Sequence, residues 1–477
     1  MSVETLNVRR LSRVVAGVAA GGAMVVIGMV SLAAQTPPRP VVERPLGRGF
    51  AVYQPGVLEP ERLEAPPLAN PTDDVSLQDA LALALLQNPG LAAFAWETRA
   101  REARALQTGR LPNPALGVQL EDFGARSLAG GGINEPVQGQ ATIQLSQLIE
   151  LGGKRTARRE LAARDQELAG WDYETARIDV LTAVSQAVTD VLAAQDAVAL
   201  TARSSQVVEQ VQQTVAARVQ AGVVSPIEET RATVALASIR VEAAQARRAL
   251  EASRLTLALL WGSDTPRFTQ VTGALGAEPP PLPELSQLVA RVEQSPELAR
   301  WAAEISQREA ALAFQRSSGV PDVTVAAGYR RFTAVDSNAV VVGASIPLPW
   351  FDRNRDGIEE ARTRLAKGRE ERRAAHARVV AALGRAYAAV ASAHDEQTIL
   401  RTTALPGSQQ AFDAISEGYG LGRFGLLDVL DAQRTLVTIS RQLLRAVSNY
   451  HTAVAEVERL IGAPLADGSA PSPEWQE

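Results

Sequence analysis

The stretch AGVVSPIE at residues 221–228 returns as LGRFGLLD at residues 421–428, 200 positions later. Both copies carry a glycine at their second position and a carboxylate at their eighth: Gly222 with Glu228, and Gly422 with Asp428. Further matches recur along the chain at offsets of 200 and 207. Each copy is far longer than the repeat of a solenoid protein, so the chain contains one architecture that was duplicated once.

The quoted stretch predicts a tight turn between two helices. Glycine favours the end of a helix, and proline, here Pro226, favours the first turn of the next. Upstream, residues 154–219 contain no proline and repeat apolar side chains at spacings of three and seven. This pattern is typical of coiled-coil packing and predicts a helix of about 100 Å at 1.5 Å per residue. A returning helix is predicted to run to about Trp261.

A period of two, typical of β-strands, appears before each long helix. Apolar and polar side chains alternate in two hairpins, at about 115–148 and 322–348. Strands of about ten residues cross a bilayer when tilted, so we expect each copy to supply one membrane hairpin. The expected lipid-facing residues are Ile143, Leu145, Val323, Val325, Val342 and Ile346, and the expected water-facing residues are Gln144, Ser146 and Ser345.

Four such strands cannot close a barrel, since the smallest known membrane barrels have about eight. In lipid, an open sheet edge leaves unpaired backbone groups, and each of them is costly. We therefore expect a barrel assembled from several chains. The alternative is that the hairpins cap a soluble coiled coil.

The second copy is predicted to repeat the order of the first. A helix over 284–316 precedes the second hairpin, a long helix begins at about Asn354, a turn follows at 420–425, and a last helix ends at Ile461. Pro406-Gly407 should kink or split the second long helix, because proline removes a backbone donor and clashes with the preceding turn.

Composition and repeats divide the chain into six segments. Three arginines precede an apolar run from Val14 to Ala34, as in an export signal; an uncleaved membrane anchor is the alternative. The expected segments are a signal peptide at 1–34, a Pro-rich linker at 35–72, a first repeat at 73–262, a second Pro-rich linker at 263–283, a second repeat at 284–465 and a disordered tail at 466–477.

The bulk composition excludes several classes of function. A net charge of -5 gives no basic field for nucleic acid. The absence of cysteine excludes disulfides and thiolate metal sites. His376, His394 and His451 share no metal-ligand spacing, and no catalytic constellation or phosphate loop is recognisable, so we expect a non-enzyme without a cofactor or resident metal.

The sequence around the second turn, GYGLGRFGLLDVLDAQ at 418–433, resembles the signature turn of the TolC-like outer-membrane factors. The duplicated plan resembles that family over roughly residues 70–465. Two strings resemble its CzcC branch, which serves heavy-metal efflux pumps: ELGGKR at 150–155 and PLPWFDRNR at 347–355.

The resemblance implies a mostly α-helical protein with a membrane β-barrel contribution. It implies a homotrimer in the cell outer membrane of a Gram-negative bacterium, whose 12-stranded β-barrel continues into a periplasmic α-helical barrel. Such a protein is a passive exit duct that pairs with a periplasmic adaptor and an inner-membrane RND pump, and the expected cargo is heavy-metal cations of the cobalt/zinc/cadmium/nickel or copper/silver class. The alternatives are a drug-efflux or type I secretion duct of the same fold and, from a different class, a periplasmic coiled-coil adaptor.

The resemblance also places a periplasmic gate at the turns 220–226 and 420–425. Tyr419 matches the gate tyrosine of the family and Glu228 a gate acid, whereas the gate arginine falls at Phe424, with Arg423 one position earlier. The candidate gate residues are Glu228, Asp428, Tyr419, Arg423, Gly222 and Gly422. Six carboxylates in a trimer would attract cations; the alternative is that both acids complement the dipole at a helix N-terminus.

Overall fold

The computed structural model describes residues 46–47, 49–55, 70–121, 139–276, 280–332 and 336–465. The predicted signal peptide and C-terminal tail lie outside the described residues. So do the glycine-rich tip of the first hairpin, most of the linker predicted at 35–72 and residues 277–279 of the linker predicted at 263–283.

The described residues form nine α-helices and four β-strands. In chain order these are α1 Leu77–Gln87, α2 Pro89–Thr108, β1 Ala115–Glu121, β2 Gln140–Ile149, α3 Lys154–Gln220, α4 Pro226–Leu259, α5 Leu285–Val292, α6 Pro296–Ser318, β3 Val323–Phe332, β4 Ser337–Ser345, α7 Arg355–Ile399, α8 Leu405–Gly420 and α9 Leu426–Ile461, with a π-helical turn Leu400–Ala404 between α7 and α8. The predicted order of helices, hairpin, long helix, turn and returning helix is confirmed in both copies. Among the described helices, none is both long and apolar enough to span a membrane.

The single helix predicted over 284–316 is wrong. The structure contains two helices there, α5 and α6, which are separated at Ser295-Pro296. Proline disfavours the helical conformation of the residue before it, and Ser295 instead accepts a long hydrogen bond from the Leu298 N–H at 3.4 Å. The first copy breaks in the same way at Asn88-Pro89, where the Asn88 side chain accepts from the Leu91 N–H at 2.9 Å.

The interruption predicted at Pro406-Gly407 takes the form of the π-helical turn. The Leu405 N–H donates to the Leu400 carbonyl, five residues back rather than four. A wider turn gives room to the carbonyl that the ring of Pro406 would otherwise meet. The helix therefore continues past the proline instead of ending at it.

The chain is divided into two compact units, which we call the strand unit and the helical unit. The described part of the strand unit lies within Ala103–Ala163 and Arg308–Leu365. The helical unit contains Pro40–Glu102, Arg164–Gln307 and Ala366–Glu477, as far as these are described. Helices α2, α3, α6 and α7 contribute residues to both units.

The strand unit contains one antiparallel sheet in the order β1-β2-β3-β4. Directly paired residues share a face of such a sheet, and the pairs include Leu116 with Leu145 and Ala327 with Val342. One face is consequently apolar and the other carries Gln144, Ser146 and Ser345, as the alternation predicts. The apolar face is open: Val340 is 79% exposed and Val342 is 78% exposed. Ile346 follows the last residue of β4.

Ionic contacts join the ends of the strands to the start of α3. Glu150 forms a two-pronged ion pair with Arg158, at 2.5 and 2.8 Å. Lys154 lies 2.7 Å from Asp322, the residue before β3. Burial alone would raise the pKa of Asp322, but hydrogen bonds from Lys154 and from the Leu151 N–H, with nearby positive charge, lower it. The ELGGKR motif thus fastens one hairpin to the other.

The helical unit contains one apolar core from each copy. Both cores use the same positions of the repeat: Leu81, Leu85 and Leu91 in the first, and Leu288, Val292 and Leu298 in the second. At the end of the returning helix, Trp261 in the first core corresponds to Ile461 in the second. The duplication is therefore a duplication of packing as well as of sequence.

Parts of the two predicted linkers are packed against the first core. Leu46 is 7% exposed, and the Tyr53 N–H donates to the Leu85 carbonyl at 3.2 Å. Phe268 is fully buried, and Val271 forms two hydrogen bonds with the Gln195 side chain, at 2.9 and 3.0 Å. These contacts attach the described linker residues to the helical unit.

An ion pair between Glu174 and Arg177 is buried in the same core. The side chains are 3% and 0% exposed, and the guanidinium also donates to the Leu46 carbonyl at 2.9 Å. A charge that is removed from water needs its partner, so loss of one member leaves the other uncompensated. The pair couples α3 to the segment around Leu46.

Close approach of two strands requires a glycine in β3. A Cβ on Gly328 would lie 2.6 Å from the Ile143 carbonyl oxygen, whereas a Cβ on Gly343 in β4 would meet nothing within 4 Å. We predict that Gly328→Val lowers the stability of the sheet by about 1–3 kcal/mol through overpacking. Gly343→Val is the matched control and should melt like the parent in detergent by circular dichroism. Equal melting temperatures for the two variants would contradict the prediction.

Removal of Arg177 should destabilise the helical unit strongly. We expect Arg177→Met to cost about 3–5 kcal/mol, because Glu174 would remain buried without its cation, and the double replacement of both residues by Met to cost less. The control is Arg248→Met, since Arg248 and Glu251 form a surface pair with side chains 82% and 63% exposed. Chemical denaturation of the four proteins measures the effect. A double variant as unstable as the single one would refute this account.

Candidate functional site: the two helix turns

The turn between α3 and α4 and the turn between α8 and α9 have the same backbone hydrogen bonds. The Val223 N–H donates to the Arg218 carbonyl at 2.9 Å, and the Arg423 N–H donates to the Gly418 carbonyl at 2.8 Å. Gly222 and Gly422 have φ angles of +70° and +76°. This is the Schellman arrangement, in which glycine takes the left-handed conformation after the helix. Both predicted glycines are therefore in equivalent backbone roles.

The two predicted acids begin the following helices, but their surroundings differ. The Asp428 carboxylate accepts from the Gly425 N–H at 2.8 Å, so it caps α9. In α4 the cap is Ser225, whose hydroxyl accepts from the Ile227 N–H at 3.4 Å. Among the described contacts, the Glu228 carboxylate has no hydrogen bond or ion pair, and the residue is partly exposed. Asp428 thus caps its helix through a hydrogen bond, whereas Glu228 lies in the first turn of α4, where an acid complements the helix dipole, without such a bond.

One small apolar core lies between the two turns. Its buried members are Val215, Ala232, Tyr419, Leu426, Val429 and Leu430. They come from α3 and α4 on one side and from α8 and α9 on the other. The turns of the two copies therefore pack on each other within one chain.

Tyr419 occupies this core with its ring and not with a polar contact. The residue is 8% exposed, and its hydroxyl has no hydrogen-bond partner among the described residues. The Arg218 guanidinium lies 4.5 Å from the centre of the Tyr419 ring, a distance at which a cation is attracted by the face of an aromatic ring. The face of the Tyr419 ring thus contacts the Arg218 guanidinium.

Arg218 makes the contact between the turns, and it is not among the candidate residues predicted from sequence. It donates hydrogen bonds of 3.3 Å to the carbonyls of Tyr419 and Gly420. Arg423, the predicted candidate, is exposed, and no described side chain contacts it through a hydrogen bond or an ion pair. The sequence signal is a basic residue in the last turn of α3, a position at which arginine often binds free helix carbonyls. Here the carbonyls belong to the end of α8.

Comparison of the sequence with known proteins identifies a family. The model of the family described as outer membrane efflux protein matches residues 80–263 and 289–463, one interval in each copy. The cobalt-zinc-cadmium resistance protein CzcC of Cupriavidus metallidurans is 35% identical over 389 residues, 81% of this chain and 90% of CzcC. The nickel-cobalt-cadmium resistance protein NccC of Alcaligenes xylosoxydans xylosoxydans is 30% identical, over 64% of this chain and 65% of NccC.

Solved structures agree on the fold. A membrane protein of Pseudomonas aeruginosa superposes with a TM-score of 0.69 at 19% identity, covering 81% of this chain and 90% of that one. CusC superposes with a TM-score of 0.68 at 16% identity, covering 81% and 92%. The outer membrane protein VceC of Vibrio cholerae gives 0.66 at 18% identity, covering 82% and 97%. Since the sequence matches extend over both copies and the fold is that of outer-membrane channels, the chain belongs to the outer membrane efflux protein family.

Proposed function

We propose that the chain is the outer-membrane exit duct of a tripartite RND-type efflux system and that it exports heavy-metal cations. The observation that carries the duct is the four-stranded sheet, with one exposed apolar face, one polar face and two open edges. The class of cargo is supported by the relatives, whose names describe resistance to cobalt, zinc, cadmium and nickel. The chain itself needs no catalytic group for this role.

The open edges favour a homotrimer. Because all neighbouring strands are antiparallel, β1 and β4 run in opposite directions. The β4 strand of one chain can therefore pair with β1 of the next and continue the antiparallel order without a break. Three copies would give twelve strands, above the smallest membrane barrels of about eight, and the apolar face would meet lipid.

The polar face would then line the duct. It carries Thr142, Arg330 and Glu121, and the Arg330 guanidinium donates to the Thr142 hydroxyl at 2.9 Å. Glu121 lies 3.9 Å from the same guanidinium. Arg330 of β3 thus has a hydroxyl partner on β2 and a carboxylate near it on β1, which a wet interior permits.

The helix turns would form the periplasmic end, where a periplasmic adaptor joins the duct to an inner-membrane RND pump. Three chains would bring together six acids, Glu228 and Asp428 from each. Rings of carboxylates favour cations in a pore. Glu228 contributes more of this effect than Asp428, since the Asp428 charge is already directed at a backbone N–H.

Loss of the gene from its host tests the function directly. We expect the deletion strain to become sensitive to cobalt, zinc or cadmium salts, and to keep its tolerance of organic drugs. The protein should fractionate with outer membranes as trimers that dissociate on heating. Sensitivity to drugs alone would favour a drug-efflux duct of the same fold. Recovery as a soluble periplasmic monomer would favour a coiled-coil adaptor and end the proposal.

Neutralisation of the free acid at the turn should reduce cation preference. Glu228→Gln removes a carboxylate that makes no described contact, so the change is electrostatic. In planar bilayers with a salt gradient, we expect the reversal potential of the variant to move toward zero. Glu251→Gln is the control, since it removes the same charge from a surface ion pair farther along α4. A variant at position 228 that matches both the parent and this control would exclude the selectivity role.

A further inference from the structure

We propose that the motif at 347–355 binds residues 111–115 of the next copy of this chain, and that aromatic side chains make this contact instead of ions. The proposal rests on the proposed homotrimer and names a surface that joins its chains. We call the motif at 150–155 the first motif and the motif at 347–355 the second motif. Each lies where a strand ends and a long helix begins.

The order of the strands makes the two motifs equivalent. Inside the chain, β2 of the first copy pairs with β3 of the second copy. In a closed barrel, β4 would pair with β1 of the next chain. Since β2 corresponds to β4 in the repeat and β3 corresponds to β1, the contact that the first motif makes inside the chain should return at the second motif, between chains.

The first motif contacts the residues that precede β3. Lys154 and the Leu151 N–H both bind the Asp322 carboxylate, at 2.7 and 3.0 Å. A Cβ on Gly152 would lie 2.7 Å from the Val320 side chain, so the glycine permits a close approach. This contact joins the two copies within one chain.

The surface equivalent to this binding partner is uncovered in a single chain. Asn113 and Ala115 stand 207 positions before Val320 and Asp322, and both are exposed. Leu111 beside them is 63% exposed. The second motif is uncovered as well, with its aromatic side chains exposed to 73% and 99%, at Trp350 and Phe351 respectively. The equivalence of the motifs brings these two exposed surfaces together between chains.

The charges of the first motif have apolar counterparts in the second copy. Glu150 and Arg158 pair at 2.5 Å, and the residues 200 positions later are Trp350 and Ile358. The residue equivalent to the Asp322 carboxylate is likewise an alanine. The joint between chains is therefore expected to be apolar where the joint inside the chain is ionic.

The joint between chains must also be wider than the joint inside the chain. Asp352 occupies the position of Gly152, and it has the Cβ for which the first joint leaves no room. Trp350 and Phe351 supply the volume that fills a wider joint. Aromatic side chains are enriched at protein interfaces because they bury a large apolar area.

Cross-linking of introduced cysteines tests which surfaces meet. The chain contains no cysteine, so Asp352→Cys and Asn113→Cys would be its only thiols. In outer membranes treated with a short bis-maleimide, we expect the double variant to give dimers and trimers that survive boiling. Each single variant should give monomers, because its thiol faces a different residue of the next chain. Trimers of the double variant that yield only monomers would overturn the proposal, and contact of the second motif with lipid would give that result.

Heat dissociation of trimers in detergent tests the aromatic contact. We expect trimers of Phe351→Ser to dissociate several degrees below the parent, because an apolar side chain is lost from each joint. The helix content should be unchanged, since this side chain is 99% exposed within its own chain. Val340→Ser is the control: Val340 is 79% exposed on the apolar face of β4, and its variant should dissociate like the parent.

The outcomes separate this proposal from the proposed function. Parent-like dissociation of Phe351→Ser would overturn the aromatic contact, as would an equal loss for Val340→Ser. If the double cysteine variant does not assemble, the comparison of these two serine variants decides. A parent protein that never forms trimers refutes the proposed function instead.

Discussion

The hydrogen-bonding requirement of four strands is the constraint on which the rest of this architecture depends. The sheet leaves the outer edges of β1 and β4 unpaired, and it exposes apolar side chains such as Val342 on one face. A soluble protein avoids this combination, because open edges and apolar faces promote association. In a lipid bilayer the same combination is resolved by closing the sheet with further copies. Duplication of a hairpin within one chain would halve the number of copies needed to close a barrel.

The helices follow from that constraint through the connections at the strand ends. The first hairpin is fastened to α3 by the Glu150–Arg158 pair, and Lys154 at the start of α3 pairs with Asp322 before β3 of the second hairpin. In the second copy the Asn354 side chain, just before α7, donates to the Gln315 carbonyl of α6 at 2.7 Å. Residues of the motifs at 150–155 and 347–355 therefore make the contacts where the strands end and the long helices begin.

Most elements could be predicted from sequence, because the spacing of apolar side chains that identifies a helix or a strand is a local property of the chain. The alternation in β2 and the long proline-free α3 each identify an element without reference to the remainder of the chain. The break at Ser295-Pro296 is also encoded locally, because proline disfavours the helical conformation of the residue before it. The packing of Phe268 and Val271 could not be read in this way, since their partner Gln195 lies on a distant part of the chain. A proline-rich composition indicates poor helix formation, but it does not indicate whether the segment is buried.

The same distinction between local patterns and distant contacts explains which residues of the candidate site could be predicted. Gly222, Gly422 and Asp428 act on the backbone of their own turn, so their roles are visible in a short window of sequence. Arg218 acts on a turn 201 residues later, and comparison of the copies hides it, because the equivalent residue is a glycine. Duplication preserved the backbone of both turns, whereas the side chains diverged: Arg218 of the first copy donates to backbone carbonyls of the second, and the equivalent residue, Gly418, has no side chain that could do the same.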